Sequence, residues 1–480
     1  MLTGKGGLLR ARKNLVPRVA SHGGGSRVAA ERQVVVPVTI EDYMQPEWFD
    51  AVTGRPWIAR DATGRFVNPW ISQAADGVKP LSVLWKWREQ RLQRELREFG
   101  WNFFIPTFYS TRFERMEATA DNDGAAVDTK ATIAAQPTTK QSHNNVPLFA
   151  KPHRPSTIRF TWIGHATCLI QQGDITILTD PIFSERASPF PRTPIGIARA
   201  KPAACTIPEL PAYIDVCLIS HDHYDHLDKP SVQNLRDRVG LWIVPLGTKE
   251  WMTTKGKVPF HKVVEVSWWE SVQLVRQQES QNNNHAGDFV VQRHHALRDN
   301  PRDDVHPAVA DPPNDENQSL WISCLPVQHW CSRTLWDRNY RLWASFAVLL
   351  PYRQILYYTG DTALPTQFPL FDQIRSYLPW RIGLAAIPIG AYEPAILNDD
   401  SHVNPAEAVQ IHQALQPRQS VAIHHGTFPL SEEPLQEPEQ WLRRAVVQAG
   451  LRPGSFVTMK EGAHLDCPSP TNKLHKRRRR

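Results

Sequence analysis

The chain has 480 residues, of which 41% are hydrophobic, so it is long enough to bury a large core in one domain with extensions. It has no run of about eighteen apolar residues, which excludes a helix that spans a bilayer. The six cysteines form no CxxC pair, which indicates a reducing compartment rather than a disulfide framework or a thiolate zinc site. The net charge of +7 favours anionic partners, although much of the excess lies at the two ends.

Residues 1–40 form a basic N-terminal segment. Six lysine and arginine side chains precede its first acidic residue, Glu31. This charge pattern is similar to that of a mitochondrial transit peptide, whereas the glycines favour a disordered basic arm. Both interpretations stay open.

An aromatic-rich N-terminal extension follows over residues 41–113. Apolar residues recur at helical spacing from Leu81 to Phe99, with lysine and arginine on the other faces, which predicts an amphipathic helix. Such a helix either packs on the core or lies at a membrane surface. Residues 114–156 are poor in hydrophobic residues and rich in Ala, Thr and Asn, which is typical of a linker.

The main domain is predicted over residues 157–465. Short apolar runs from Thr157 onward predict strands, and one of them ends directly at Asp180. A polar, Pro- and Asn-rich stretch at 276–318 is typical of an insertion. We interpret its four histidines as solvated: His285, His294, His295 and His306.

One stretch, YIDVCLISHDHYDHLD at 213–228, organises the domain, because a buried strand in it stops at a cluster of His and Asp. If the backbone stays extended from His221 to His223, both imidazoles point to the same side, because side chains two residues apart in a strand share a face. Asp225 and His226 begin the next turn and can face a second point nearby. The alternative is a polar surface turn, but this concentration of ligand types after a core strand favours metal binding at two points.

Three later strands also run into such residues, at His329, at Asp361 and at His424 with its neighbour His425. An α/β scaffold that ends several strands in this way gathers distant ligands over one edge of its sheets. His402 lies at the same edge, just before a helix that Asn404 should cap.

The order HxHxDH, a later His, an Asp in a GD step and a final His resembles the ligand order of the metallo-β-lactamase superfamily. The segments WIGHATCLI, TDPIFSERASP, VQHWCSRTLWD, GDTALP and AIHHGTF narrow the resemblance to the N-acylphosphatidylethanolamine-hydrolysing phospholipase D (NAPE-PLD) family. It covers about residues 157–450. It implies an α/β fold, an αββα sandwich of two mixed sheets with helices outside, and a site for two Zn²⁺ ions at the shared edge.

The resemblance also implies roles for individual residues. One zinc would be held by His221, His223 and His329, and the other by Asp225, His226 and His424, with Asp361 as the bridge. Tyr224 and His402 would contact the lipid substrate. Asp180 would be a required acidic residue, for which we expect a hydrogen bond to a ligand histidine. Asp222 and His425 depart from the residues that relatives often carry there, Asn and Trp.

The implied function is a zinc-dependent phosphodiesterase that hydrolyses N-acylphosphatidylethanolamine to N-acylethanolamine and phosphatidic acid. The resemblance implies an intracellular, peripheral membrane homodimer, and nucleic acid is not an expected partner. A nuclease or lactonase of the same superfamily and a non-catalytic, zinc-containing lipid-binding protein are the alternatives. Residues 466–480 form a basic tail that is solvated by default.

Overall fold

Two mixed sheets, packed face to face, carry most of the strands of the chain. The computed structural model describes residues 58–61, 63–70, 148–276, 289–295, 319–334 and 336–469. Several predictions lie outside these residues: the basic arm, the amphipathic helix around 81–99, most of the linker, most of the insertion and most of the basic tail.

The strands, in chain order, are β1 (Ala59–Arg60), β2 (Phe66–Val67), β3 (Ile158–Gly164), β4 (Thr167–Gln172), β5 (Ile175–Thr179), β6 (Arg186–Ala187), β7 (Ile197–Ala198), β8 (Ile214–Leu218), β9 (Val239–Pro245), β10 (Val263–Val266), β11 (Glu270–Arg276), β12 (Phe289–His295), β13 (Ser319–Leu325), β14 (Ser345–Leu350), β15 (Gln354–Tyr358), β16 (Ile382–Pro388), β17 (Gln419–Ile423), β18 (Phe456–Val457) and β19 (His464–Cys467). The helices are α1 (Lys229–Leu235), α2 (Lys249–Thr254), α3 (Leu370–Tyr377), α4 (Ala395–Asn398), α5 (Pro405–Leu415) and α6 (Glu437–Gln448).

The first sheet has seven strands in the order β10-β9-β8-β5-β4-β3-β19, and the second has eight in the order β12-β11-β13-β14-β15-β16-β17-β18. Each sheet is parallel at one end and antiparallel at the other. Two short antiparallel pairs, β1 with β2 and β6 with β7, stand apart from them. The predicted pair of mixed sheets is therefore confirmed.

The layers of the fold follow from the central strands, whose successive side chains point to opposite faces of the sheet and pack into different core clusters. Val216 and Leu218 of β8 join one core cluster with Ile322 and Leu384 of the second sheet. Cys217, between them in the sequence, faces a second cluster that contains residues of α1 and α2. Helices α3, α5 and α6 contribute to the first cluster, against the second sheet. Helices therefore cover both outer faces, as expected of an αββα sandwich, and all five residues of β8 are buried, including the charged Asp215.

The predicted convergence of strand ends is also present. Strands β5, β8, β13, β15 and β17 run directly into, or end within four residues of, a predicted site residue. Within each sheet these strands point the same way, since β8 is parallel to β5, and β13 and β15 are both antiparallel to β14. Five short segments therefore meet at one edge of the sandwich.

The described part of the N-terminal extension belongs to the same core as the main domain. The Trp70 ring lies between those of Trp268 and Phe368, with centroids 5.8 and 5.6 Å away. Its indole nitrogen donates to Gln328 Oε1 at 2.9 Å, and Asn68 Nδ2 donates to the carbonyl oxygen of His329 at the same distance. Residues 66–70 thus support the segment that carries a predicted ligand.

Two features of the main domain differ from the sequence prediction. The described residues of the predicted insertion form β12, an edge strand paired with β11. His294 on this strand is half-buried against Trp321, with ring centroids 4.6 Å apart, so the prediction that it is solvated is wrong. Strand β19 runs past the predicted boundary at 465 and pairs with β3. Both strands are polar in part, and their positions follow from pairing with β11 and β3 rather than from their own sequence pattern.

Asn404 caps α5 as predicted, because its Oδ1 accepts from the backbone nitrogens of Ala406 and Glu407 at 2.9 and 3.0 Å. All six cysteines are buried and unpaired. Among the described residues, no helix has the length and apolar character needed to cross a bilayer.

Candidate metal centre

Asp361 Oδ2 is the point at which the predicted ligands converge. It lies 3.1 Å from the Nε2 atoms of both His226 and His424, 3.7 Å from that of His329 and 3.8 Å from that of His221. These side chains come from four separate strand ends. A carboxylate oxygen so placed can be shared between two groups of ligands.

The first group contains Asp361 and three histidines. His221 Nε2 and His329 Nε2 lie 2.8 and 3.2 Å from His223 Nδ1. His223 therefore presents its Nδ1 atom to the group, whereas the other two present Nε2. The four ligand atoms lie within 4.8 Å of one another.

The second group shares Asp361 and adds Asp225, His226 and His424. Asp225 Oδ2 lies 3.5 Å from His226 Nε2 and 3.4 Å from His424 Nε2. The structure brings together the two sets of side chains that the family resemblance named, three histidines in one and Asp225, His226 and His424 in the other, and it adds His165 to the second set. Their roles as metal ligands stay predictions.

The geometry fits divalent ions. A tetrahedral zinc ion holds its ligand atoms at about 2.0–2.1 Å, which puts neighbouring ligand atoms roughly 3.3 Å apart. The spacings in both groups scatter around that value. The buried Nε2 atoms of His226 and His424 have no hydrogen-bond partner among the described residues, as expected of ring nitrogens that hold a metal.

The electrostatics of the second group depend on its carboxylates. Burial opposes the charged form of Asp361, but the His226 and His424 imidazoles outweigh it and hold the pKa of the carboxyl well below its usual range. Burial likewise opposes protonation of His424, but Asp361 and then Asp225 raise its pKa to about 9. Because a metal ion binds the neutral imidazole, ion binding here displaces a proton.

Asp180 is buried and positions two of the three histidines of the first ligand loop, His221 and His226. Its Oδ2 atom accepts a hydrogen bond from Nδ1 of His226 at 2.7 Å, which is the predicted bond to a ligand histidine. Its two oxygens also accept from the backbone nitrogen and the hydroxyl of Ser220, at 2.7 and 2.5 Å. The Ser220 hydroxyl lies 2.9 Å from Nδ1 of His221. Asp180 therefore orients one ligand directly and another through Ser220.

Gly360 lets the Asp361 segment approach Ser220 closely. Its φ is +63°, and a Cβ atom built on it would lie 2.5 Å from the Ser220 Cβ. Only glycine fits both the conformation and the space. The GD step of the sequence therefore has a steric reason.

His165 is a residue of the centre that the sequence analysis missed. Its Nε2 atom lies 2.9 Å from Asp225 Oδ2, and its ring centroid is 4.1 Å from that of His424. Burial, followed by the neighbouring His424, lowers its pKa to about 3, so the imidazole is neutral. The signal was a histidine directly after β3, at another strand end. His165 orients Asp225, and it could also act as a ligand of the second group.

Asp222 connects the first ligand loop to the segment between β13 and β14. Its Oδ2 atom accepts from Arg341 Nη1 at 2.8 Å, and its carbonyl oxygen accepts from Arg333 Nη1 at 2.6 Å. Burial raises the pKa of the Asp222 carboxyl, and both arginines oppose that shift. The Asp222 carboxylate therefore tethers the loop.

His402 lies at the edge of the centre and Tyr224 lies beside it. His402 is half-buried, and its Nδ1 atom is 3.9 Å from Asp361 Oδ2. The Tyr224 hydroxyl donates to the Arg333 carbonyl oxygen at 2.5 Å. Among the described residues, no hydrogen bond or ring contact of Tyr224 reaches a ligand side chain. His425 points elsewhere and stacks on Trp162 at a centroid distance of 4.8 Å.

Comparison with known proteins agrees with this geometry. The model of the beta-lactamase superfamily domain matches residues 176–425, slightly more than half of the chain. An N-acyl-phosphatidylethanolamine-hydrolyzing phospholipase D 1 from Caenorhabditis elegans is 34% identical over 317 residues, which cover 65% of this chain and 76% of that relative. The chain belongs to the NAPE-PLD family of the metallo-β-lactamase superfamily.

Other relatives of this NAPE-PLD family member are more distant. A mitochondrial N-acyl-phosphatidylethanolamine-hydrolyzing phospholipase D from Saccharomyces cerevisiae is 30% identical, over 61% of this chain and 52% of its own. A UPF0173 metal-dependent hydrolase from Pyrobaculum arsenaticum is 26% identical, over 64% and 98% of the two chains. Among solved structures, the isothiocyanate hydrolase from Delia radicum gut bacteria is 13% identical, with a TM-score of 0.43, over 65% and 99% of the chains. This chain is a metallo-hydrolase, as its family and its metal-dependent relatives show.

Proposed function

We propose that this chain is a zinc-dependent phospholipase D that hydrolyses N-acylphosphatidylethanolamine to N-acylethanolamine and phosphatidic acid. The observation that carries the proposal is the position of Asp361 Oδ2, which lies 3.1 Å from the Nε2 atoms of His226 and His424 and 3.7 and 3.8 Å from those of His329 and His221. The chain is also 34% and 30% identical to relatives that are named for this reaction. Histidine-rich groups favour zinc among the divalent ions, and the two groups would hold two Zn²⁺ ions per chain.

Hydrolysis of a phosphodiester needs a nucleophile at neutral pH and neutralisation of the phosphate oxygens. A bound pair of zinc ions supplies both, because it lowers the pKa of water toward about 7 and polarises the non-bridging oxygens. The side chains of the protein hold the candidate ligands in position. Asp361 joins the two ligand groups, Asp180 fixes His226, and His165 fixes Asp225, so the reacting phosphorus meets a preorganised centre.

His402 is placed to interact with the leaving group or with the lipid. Its Nδ1 atom has no hydrogen-bond partner among the described residues and faces the shared carboxylate at 3.9 Å. Burial lowers its pKa, so its imidazole is neutral at pH 7 and carries one N–H. That N–H can donate to the leaving oxygen of N-acylethanolamine as the bond to phosphorus breaks.

The Asp361→Asn variant tests the proposal. In metal enzymes, mutation of a residue that only hydrogen-bonds to a ligand typically lowers metal affinity or activity by about 10–100-fold. We therefore expect loss of the shared ligand itself to lower turnover by at least about 100-fold. The measurement is mass spectrometry of products from vesicles that contain N-acylated and plain phosphatidylethanolamine. Asp372→Asn, on the exposed side of α3, is the matched control and should leave turnover unchanged.

Other outcomes of the same experiment assign other functions. Release of fatty acid in place of N-acylethanolamine contradicts the reaction. Cleavage of RNA or of a lactone by the zinc-loaded protein, without phospholipid turnover, assigns a nuclease or lactonase of the superfamily. Vesicle binding without any turnover assigns a non-catalytic lipid-binding protein.

We also propose that the protein docks on a membrane through apolar side chains around the metal centre. Phe190 and Ile195, in the β6–β7 hairpin loop, are 58% and 57% exposed, and Arg192 between them is also exposed. In the segment between β13 and β14, Trp336 is 81% exposed. Apolar side chains next to a cation suit the boundary between acyl chains and anionic headgroups.

The base of this hairpin contacts the surroundings of the metal centre. The Arg199 guanidinium lies 4.8 Å from the centroid of the Phe428 ring, which meets the His165 ring edge-on at 5.1 Å. Trp336 belongs to the segment of Arg333, whose guanidinium lies 4.2 Å from the centroid of the Tyr224 ring. The exposed apolar groups thus belong to two segments that contact residues of the metal centre and its first ligand loop, and we infer that a lipid substrate enters there.

The double variant Phe190→Ser/Ile195→Ser tests the docking surface. We expect co-sedimentation with anionic vesicles to weaken by at least about 100-fold, since burial of each of the two side chains contributes about 1.5–3 kcal/mol and about 1.4 kcal/mol is a factor of ten. Turnover of detergent-solubilised substrate should stay unchanged. Phe260→Ser is the matched control, because Phe260 is 70% exposed but lies before β10, at the opposite edge of the sheet. Equal weakening by the control variant would contradict the proposal.

A further inference from the structure

A second concavity lies at the other end of the sandwich and is lined by arginines. Its volume is about 750 Å³. His412 and apolar residues such as Pro417 and Leu451 form part of its lining. The other part consists of four arginines: Arg154, Arg381, Arg418 and Arg452. We call this concavity the arginine pocket.

The arginine pocket is separate from the metal centre. Arg381 precedes β16, Arg418 precedes β17 and Arg452 precedes β18, and these three strands are parallel neighbours. The ligand His424 follows the other end of β17. The pocket and the centre therefore lie at opposite ends of the same strands, about 17 Å apart for a five-residue strand.

The charge of the pocket is not balanced within the described part of the chain. None of the four arginines lies within 4 Å of a carboxylate there. The C-terminal ends of α5 and α6 approach the pocket, since Arg381 Nε donates to Gln416 O at 3.3 Å and the backbone of Leu451 bonds to Val446 O. Two helix ends contribute about −1 elementary charge together, against four guanidinium charges.

The buried part of the pocket carries no charge. His412 is buried, and burial, followed by the nearby Arg381, lowers its pKa to about 4, so the imidazole is neutral at pH 7. Its Nδ1 atom pairs with the Ser420 hydroxyl at 2.8 Å. Arg154 and Arg452 are exposed, and within the described ranges neither guanidinium donates a hydrogen bond. They are free to turn toward a ligand.

We propose that the arginine pocket binds a phosphate-bearing anion. Four guanidinium groups around one cavity repel one another, and an anion between them removes that cost. Guanidinium groups donate two parallel hydrogen bonds to a phosphate, and the additional oxygens of a phosphate accept from more of the four arginines than the two oxygens of a carboxylate or a chloride ion can. The anion is either a free phosphate compound or the phosphate headgroup of an anionic lipid such as phosphatidic acid.

The double variant Arg154→Gln/Arg452→Gln removes two charges from the pocket without removing a contact within the described structure. Arg236→Gln/Lys255→Gln removes the same charge at the opposite face and is the matched control. Isothermal titration of the zinc-loaded protein with pyrophosphate should give a Kd at least about tenfold weaker for the pocket variant, a change of about 1.4 kcal/mol. The control should bind like the wild type.

A parallel co-sedimentation with phosphatidylcholine vesicles, with and without phosphatidic acid, separates the two sources. If the pocket variant binds pyrophosphate more weakly but still co-sediments with the vesicles that contain phosphatidic acid, the ligand is a free phosphate compound. If both kinds of binding weaken, the pocket binds lipid headgroups. Identical titrations for all three proteins place pyrophosphate at the metal centre alone and overturn the proposal, as does equal weakening by the control.

Discussion

Asp180 shows how one buried carboxylate organises the metal centre. Besides its bonds to Ser220 and His226, its Oδ2 atom accepts from the Tyr358 hydroxyl at 2.5 Å. A buried carboxylate is costly unless it is fully hydrogen-bonded, and here every donor lies in a neighbouring strand or loop. The bond to His226 Nδ1 fixes the proton on that nitrogen and leaves Nε2 to the metal.

We therefore expect Asp180→Asn to weaken metal binding by about 10–100-fold, because an amide cannot accept from all these donors. The readout is zinc content by mass spectrometry after dialysis against a chelator, together with a thermal melt. Asp174→Asn is the control, since Asp174 is exposed and pairs with Lys151. Full zinc occupancy in Asp180→Asn would show that Asp180 does not position the ligand.

At the scale of elements, the first ligand loop is held by the segment between β13 and β14. Arg333 Nη1 donates to the carbonyl oxygens of Asp222 and Leu227 at 2.6 and 2.8 Å. Arg341 bridges Asp222 and Asp337, at 2.8 Å each. The loop that carries three histidine ligands is therefore tied to a segment more than a hundred residues away, and its geometry does not depend on the metal alone.

We predict that Arg341→Met destabilises the protein by about 3 kcal/mol, because it leaves the Asp222 carboxylate buried and unpaired. Urea denaturation of the zinc-loaded protein measures the free energy of unfolding. Arg341→Lys keeps the charge and should cost less. Addition of Asp222→Asn to Arg341→Met should recover part of the loss, and a double variant as unstable as the single one would exclude the ion pair as the cause.

At the scale of the whole molecule, both ends of the described chain close the sandwich. Trp70 fills the core from the N-terminal side. On the C-terminal side, β19 completes the first sheet, and Asp466 accepts two hydrogen bonds at 2.7 Å from Arg159 on β3. The stable unit is therefore longer than the predicted main domain. The homodimer and the cellular compartment stay predictions.

Trp70→Ala should accordingly cost about 3–5 kcal/mol in free energy of unfolding, the range for removal of a large aromatic side chain from a core. Trp336→Ala is the control, and its exposed side chain predicts a change within about 0.5 kcal/mol. Thermal or urea unfolding measures both. A Trp70→Ala protein as stable as the control would show that the N-terminal segment does not belong to the core.

The amino-acid sequence by itself predicted the strands that end at the candidate ligands and two metal points for the first ligand loop, whereas the division of all the ligands into two groups came from the family resemblance. His221, His223, Asp225 and His226 could be assigned because they stand in one short loop, where local spacing decides which way each side chain points. Asp361 and His424 could be assigned because apolar runs that end in a ligand residue place it at the end of a strand. The αββα sandwich followed from the family resemblance, not from these patterns.

Only the tertiary structure revealed the contacts between segments that are far apart in the chain. His165 lies beside Asp225, Arg341 pairs with Asp222, and Trp70 enters the core. The partners in these contacts are far apart in the sequence, and no periodic pattern of residues indicates that they meet. The arginine pocket likewise joins residues from three helix-to-strand connections, from α5 and from the segments before β3 and after β19, and each arginine alone is an ordinary polar residue. Local pattern sets the direction of a side chain within its own strand or loop, whereas its neighbours depend on how the strands are ordered in the sheets.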